Sequence, residues 1–255
     1  MEGTVGGDFA DGLDLRGQAL KLMDSLENLK PEDLYHIPAA FSIIGHTGSG
    51  KTFFVGSLIH YLREIGYKIN VVIFYGTDQL LFDYMYPSEK YKGLSRFAEV
   101  VERLQVLDTD PDAPPLGSKE RVHNFIIIDD LMDEATSNKE VSNVICRGIS
   151  HQGLSLALMY QNMLPQHSNA VTIAQNVAYK VFFYNPQSAG QFQFVVRRMD
   201  SGKQTLKDMY RRLGQMQPRE GDQDQAPLPL VIDCRKHRAW YGLIPHEIVD
   251  LRDQP

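Results

Sequence analysis

The chain is poor in cysteine, in long apolar runs and in positive charge, and each shortage removes a class of function. Cys146 and Cys234 are the only thiols in 255 residues. That is too few for a disulfide framework or a zinc centre and favours an intracellular, reducing setting. No apolar run approaches the roughly 20 residues that span a bilayer. The stretch Met1–Gly12, glycine-rich and acidic, has neither the basic start nor the apolar centre of a secretory signal. The expectation is a soluble chain with no membrane partner. The net charge of −6 argues against a general nucleic-acid coat, but a local basic surface on an acidic chain stays open. No internal repeat is visible. Apolar residues, by contrast, are plentiful: at 43 % of the chain they can fill a sizeable core, in one large α/β domain or in a domain with appendages.

The stretch that organises the rest is Gly45-His46-Thr47-Gly48-Ser49-Gly50-Lys51-Thr52, which fits the phosphate-loop pattern G-x-x-x-x-G-K-[ST]. A short apolar run, Ala39–Ile44, precedes it, and Phe53, Phe54, Leu58, Leu62 and Ile65 follow at helical spacing. Strand, glycine loop and helix therefore stand in the required order. In that arrangement backbone N–H groups at a helix N-terminus surround a phosphate. Lys51 adds a point charge on the outer phosphates, and the Thr52 hydroxyl is placed to ligate Mg²⁺. A chance glycine-rich turn would match the eight residues but not their context.

Strand-like and helix-like segments alternate along most of the chain, which predicts an α/β fold, a mostly parallel central sheet flanked by helices. Expected strands are Ile69–Phe74, Leu104–Leu107, Phe125–Asp130, Leu154–Tyr160 and Ala178–Tyr184, with a terminal hairpin at Leu230–Asp233 and Ala239–Tyr241. Expected helices are Leu80–Tyr86 and Gly93–Arg103, joined by a turn at Pro87-Ser88, then Lys139–Gly148, Gln187–Met199 and Gln204–Leu213. Asp108–Ser118 carries three prolines and a glycine and reads as a loop. The expected division is 1–38, a disordered tip with an amphipathic helix over Asp14–Lys30; 39–213, the ATP-binding core; and 214–255, a linker and short hairpin.

Two further pieces complete a site. Phe125–Ile128 runs straight into Asp129-Asp130. A buried strand cannot hold two ionised carboxylates, but its carboxyl end opens onto the crevice where α/β folds place ligands. Asp129 is then the Mg²⁺ carboxylate, acting through water, and Asp130 the group that orients or deprotonates an attacking water. The strand Leu154–Tyr160 closes on Gln161-Asn162. Beside the Asp129 strand, Gln161 reaches the γ-phosphate, where an amide both donates to an oxygen and accepts from water. The plainer alternative is that Gln161 and Asn162 only open a turn before Pro165.

The loop GHTGSGKT, the strand IIIDDLM, the segment SHQGLSLALMYQNMLPQ and the later VFFYNPQSAGQFQFVVRRM occur in that order. Together they resemble the genome-packaging ATPases of double-stranded DNA viruses, the poxvirus-type branch of the FtsK/HerA superfamily of ASCE, RecA-like P-loop NTPases. The similarity spans Phe41–Met199, with weaker echoes at Trp240–Pro245. It implies ATP and Mg²⁺ as cofactors and a hexameric or pentameric homo-oligomeric ring. It also implies double-stranded DNA and a capsid or portal-vertex protein as partners, at the site of virion assembly in an infected cell. Onto this chain it carries Lys51, Thr52, Asp129, Asp130 and Gln161. One departure is His151-Gln152, where relatives often show a paired histidine or a basic doublet.

Ring ATPases complete each site with an arginine from the next subunit. Arg147 and the pair Arg197-Arg198 are candidates, the pair favoured because it follows the strand at the nucleotide edge. Lys203, Lys207 and Arg211 recur every four residues with Arg212 beside them. This basic stripe suits sequence-blind phosphate contacts with DNA, or is a solvated face partly paired with Asp200 and Asp208. Arg235–Arg238 is a second basic cluster. The leading function is a DNA-translocating ATPase. The alternatives are an assembly or scaffold ATPase that switches protein partners without moving DNA, and a small-metabolite kinase. The kinase would need an arginine-rich lid and an acceptor pocket, neither of which is legible, and Asp130 with Gln161 points away from it.

Overall fold

Short runs of β-branched and aromatic residues build the sheet, and the loops at one edge of it build the site. The computed structural model describes residues 34–108, 114–161, 169–199, 201–217, 227–245 and 247–252. The expected tip and helix over Asp14–Lys30 lie outside them. In chain order, β1 (Ala40–Ile44) leads into α1 (Lys51–Glu64) and β2 (Lys68–Tyr75). A 3₁₀ turn (Leu80–Met85) precedes β3 (Glu89–Lys92), α2 (Phe97–Asp108) and β4 (Val122–Asp129). Then α3 (Met132–Ser137) and α4 (Lys139–Asn143) run through a π turn (Val144–Gly148) into α5 (Ile149–Gln152) and β5 (Leu154–Tyr160). After α6 (Asn169–Asn176) and β6 (Tyr179–Phe183) come α7 (Ala189–Arg197) and α8 (Lys203–Gln215). The strands β7 (Pro229–Asp233), β8 (Arg238–Tyr241) and β9 (Val249–Asp250) follow.

Among the described residues the nine strands form one sheet in the order β3-β2-β4-β5-β1-β6-β7-β8-β9. From β3 to β6 the neighbours are parallel, and β7, β8 and β9 continue the sheet antiparallel. Parallel strands covered on both faces must be apolar throughout, and every residue of β1 and β5 is buried. Side chains alternate between two cores. Phe41, Ile43, Phe125 and Ile127 face α1 through Phe54, Leu58, Ile59 and Leu62. Ala40, Ile44, Ile126 and Ile128 face the other helices, through Val101 of α2, Val141 of α4, Phe192 of α7 and Leu206 of α8. Tyr35, Phe41 of β1, Tyr179 of β6 and Trp240 of β8 form an aromatic cluster with centroid distances of 4.8–6.2 Å. That cluster anchors the terminal hairpin, which extends the central sheet.

Two expectations are corrected. Leu104–Leu107 belongs to α2 and is not a strand. The mostly apolar stretch there, Leu-Gln-Val-Leu, follows on from a longer series in which Phe97, Val100, Val101 and Leu104, spaced i, i+3, i+4, i+7, face one core. Phe97 tilts against Phe74 of β2 at 5.2 Å. The helix expected from Gly93 accordingly begins at Phe97. Between the two expected helices there is not a simple turn but a strand, β3, paired in parallel with β2. Its sequence, Glu-Lys-Tyr-Lys, is charged because it forms the sheet edge, where charge discourages further pairing. Glu89 is held there by Arg103 of α2 at 2.7 Å.

Candidate active site

The strand order decides which loop ends meet. β5 lies between β1 and β4, paired with both in register, so the carboxyl ends of β1, β5, β4 and β2 open along one edge. A cavity of about 320 Å³ sits at that edge, lined by the phosphate loop, Asp129, Asp130, Gln161 and also Gln79.

The loop that leaves β1 closes tightly. Gly45 N–H donates to the Tyr160 carbonyl at 3.1 Å and Ser49 N–H to the His46 carbonyl at 3.1 Å. Gly50, with φ of 94°, turns the chain into α1 through the left-handed region, which glycine enters without a Cβ penalty. The start of α1 has no acidic residue and no side-chain cap, and the buried Ser49 hydroxyl has no hydrogen-bond partner among the described residues. These unsatisfied donors under a positive dipole end fit a phosphate group. The Lys51 ammonium donates to the carbonyls of Gly45 (2.7 Å) and His46 (2.9 Å). Burial lowers its pKa, and Asp129 and Asp130 act against that shift.

Asp129, at the last position of β4, is 3 % exposed. Its Oδ2 accepts from Gln79 Nε2 at 2.7 Å, while Gln79 Oε1 accepts from Thr52 Oγ1 at 3.1 Å. A hydroxyl and a carboxylate beside a phosphate cradle are the hard oxygen donors that Mg²⁺ takes alongside phosphate oxygens. Asp130 is the next residue and is exposed, with φ of 56°. Non-glycine residues seldom hold that conformation, aspartate more readily than most. It aims the carboxylate into the cavity, where Oδ1 accepts from Gln161 Nε2 at 3.1 Å. Gln161 at the end of β5 thus reaches Asp130 at the end of β4.

The structure brings Lys51, Thr52, Asp129, Asp130 and Gln161 to one cavity and leaves the arginines outside its lining. Arg147, Arg197 and Arg198 are all exposed, and the Arg197 guanidinium lies 5.4 Å from the Phe194 ring centre. On α8, Leu206, Met209, Tyr210 and Leu213 are buried, and Lys203, Arg211 and Arg212 are exposed on its other side, with Lys207 half-buried. Arg211 is paired with Asp208 at 2.8 Å. His151 falls in α5, and Asn162 lies outside the described residues. Sequence reasoning missed Gln79. A signal for it exists: Gly76-Thr77-Asp78-Gln79 follows β2, the other parallel neighbour of β4, so the logic that selects Gln161 also applies to it.

Burial pushes the Asp129 carboxyl up to about 6, with Lys51 pulling it down and Asp130 pushing it further up. The sign follows from the raised folded-state value. This group's stabilising contribution is complete below its ordinary value of 3.8 and is lost as pH rises through about 6. A metal carboxylate must be ionised, so Mg²⁺ binding in the role expected of Asp129 would run the other way. Mg²⁺-dependent nucleotide affinity is expected to fall as pH drops through about 6, approaching ~10-fold per further pH unit. Calorimetric titration at a series of pH values measures it, and a flat profile across that range would refute the assignment of Asp129.

Among solved structures, the genome packaging NTPase B204 from Sulfolobus turreted icosahedral virus 2, in complex with ATP-gammaS, aligns with a TM-score of 0.54 at 12 % identity over 84 % of this chain and 98 % of that one. Its complex with sulfate gives 0.56 at 13 % identity, over 82 % and 97 %. The pCW3 conjugation coupling protein TcpA, in its monomer form with ATPgS, gives 0.50 at 12 %, over 85 % and 60 %. At such identities the likeness establishes the fold, a P-loop ATPase fold with a largely parallel sheet. No curated protein sequence matches significantly. The family model for the Poxvirus A32 protein matches residues 27–206, which is more than half of the chain, and the chain therefore belongs to the Poxvirus A32 protein family.

Proposed function

We propose that this chain is a Mg²⁺-dependent ATPase that drives double-stranded viral DNA into a capsid. The observation that carries the reading is the convergence of the Gly45–Thr52 loop, the Asp129-Asp130 pair and Gln161 on one cavity, in a chain of the Poxvirus A32 protein family. The loop N–H groups and Lys51 bind and orient the outer phosphates. Thr52 and Asp129 hold Mg²⁺, which when bound neutralises charge developing on the transferred phosphoryl group. Asp130, oriented by Gln161, accepts a proton from the attacking water or fixes its direction. The structurally similar B204 is described as a genome packaging NTPase, which supports the same use of the same fold here.

Packaging needs a grip on DNA and a ring. On this reading the basic side of α8 meets the DNA phosphates through Lys203, Lys207, Arg211 and Arg212, and exposed Arg197 or Arg198 reaches the site of a neighbouring subunit in a hexameric or pentameric ring. A capsid or portal-vertex protein is the other partner, at the site of virion assembly. None of the helices among the described residues is long and apolar enough to cross a membrane.

Steady-state hydrolysis with and without long duplex DNA, at increasing salt, tests this. Stimulation by duplex of any sequence, fading with salt, is expected. The triple substitution Lys203→Ala, Lys207→Ala, Arg212→Ala should cut the stimulation and lower the slope of log affinity against log salt by about 2–3, since each DNA phosphate neutralised by a basic side chain adds roughly 0.9 to that slope. Hydrolysis indifferent to DNA would instead favour an ATPase that switches protein partners during assembly.

A further inference from the structure

The hydrogen bonds of Gln79 place its carboxamide between the two oxygens that the proposed metal would use. Thr52 Oγ1 and Asp129 Oδ2 are the oxygens this chain would offer Mg²⁺, and the Gln79 carboxamide joins them, accepting from the hydroxyl at 3.1 Å and donating to the carboxylate at 2.7 Å. An amide suits this position because its two ends have opposite polarity. A divalent cation requires lone pairs from both oxygens, and its charge repels an NH₂ group aimed at the same carboxylate oxygen. The conflict lies at Asp129: the Thr52 hydroxyl donates its proton to Gln79 and keeps its lone pairs for a cation, whereas the NH₂ group takes up the carboxylate oxygen that a cation, or a water bound to it, would use.

The backbone around Gln79 leaves the side chain as the part that yields. Gly76 N–H donates to the Asp129 carbonyl at 3.0 Å. A Cβ at Gly76 would stand 2.9 Å from the Asp130 carbonyl oxygen, so the exit of β2 is pressed against the end of β4. Past Gln79, its carbonyl accepts from Phe82 N–H at 3.0 Å, and Phe82 and Met85 are fully buried. Arg63 of α1 donates to the Met85 carbonyl at 2.9 Å. With the chain held on both sides, Gln79 releases its partners by rotating between staggered side-chain rotamers.

We infer that Gln79 is a built-in competitor for Mg²⁺, holding Thr52 and Asp129 together until a Mg²⁺–nucleotide complex displaces it. Metal alone, which sheds its water reluctantly, does not displace the amide. Metal arriving with phosphate ligands does. The site therefore loads metal and nucleotide as a unit, and after product release Gln79 closes over the two ligands again. This rests on the Mg²⁺–nucleotide reading of the cavity.

The test is calorimetric titration of the full chain with ATPγS, in EDTA and in Mg²⁺, for the unaltered protein, Gln79→Ala and Gln79→Leu. Mn²⁺ alone, followed by electron paramagnetic resonance, serves as the metal-only probe. Gln79→Leu keeps the bulk of the side chain, so a folding defect in the alanine variant, visible by circular dichroism, does not end the experiment. In EDTA all three should agree within about twofold. In Mg²⁺ both variants should bind about tenfold tighter than the unaltered protein, the scale of one hydrogen bond to a charged group, and Mn²⁺ alone should gain affinity similarly. Metal dependence unchanged by the substitutions, or weaker binding in Mg²⁺, overturns the competitor role while leaving the nucleotide site intact. An unaltered protein that binds no nucleotide in either buffer overturns both.

Discussion

Replacing Lys51 with alanine is expected to abolish tight nucleotide binding while leaving the fold in place. Among the described residues, Lys51 donates to backbone carbonyls at the mouth of its own loop, those of Gly45 and His46, and not to a carboxylate, so its charge stays available to a phosphate. A charged hydrogen bond of this kind contributes roughly 1.5–3 kcal/mol, and an ammonium placed between two phosphates makes more than one. The expected loss is therefore at least about 100-fold in affinity. The fold should survive because the loop keeps its own backbone bonds, from Gly45 to Tyr160 and from Ser49 to His46. Calorimetric titration with ATP and Mg²⁺ reads the affinity, and a circular dichroism melt reads the fold. Retention of affinity in a folded Lys51→Ala protein would remove the phosphate loop from the proposed site.

Asp130→Asn should separate chemistry from binding. Asparagine accepts the left-handed backbone that Asp130 adopts, with φ of 56°, as readily as aspartate does. Its carbonyl can also still accept from Gln161. What it cannot do is take a proton from water. Nucleotide affinity is expected to change by no more than a few-fold, while single-turnover hydrolysis falls by about 10²–10⁴. Normal turnover in Asp130→Asn would transfer the water-activating role to another group. Loss of binding and turnover together would mean that Asp130 supports the metal instead.

Much of this site is legible in the sequence because its chemistry is local. A phosphate loop needs its glycines, lysine and threonine within eight residues, and the acid pair needs only the end of one apolar strand. The elements that depart from expectation share a cause. Leu104–Leu107 taken alone, three apolar residues and a glutamine, suits strand or helix, and only the continuity of Leu104 with Phe97 on the same face resolves it. The charged β3 carries no strand signature in its composition, since it exists through pairing with β2 at an edge.

The amino-acid sequence by itself determined the phosphate loop, the acid pair that closes an apolar strand, the alternation that makes the sheet parallel, and the basic face of α8. Each of these is a periodic or contiguous pattern, and such patterns survive without partners. Tertiary structure alone decided that β5 lies between β1 and β4, that Gln161 therefore meets Asp130, and that Gln79 joins Thr52 to Asp129. Those facts are meetings between residues tens of positions apart. They follow from strand order, which is set by how two helical layers cover both faces of one sheet, and no local pattern encodes it.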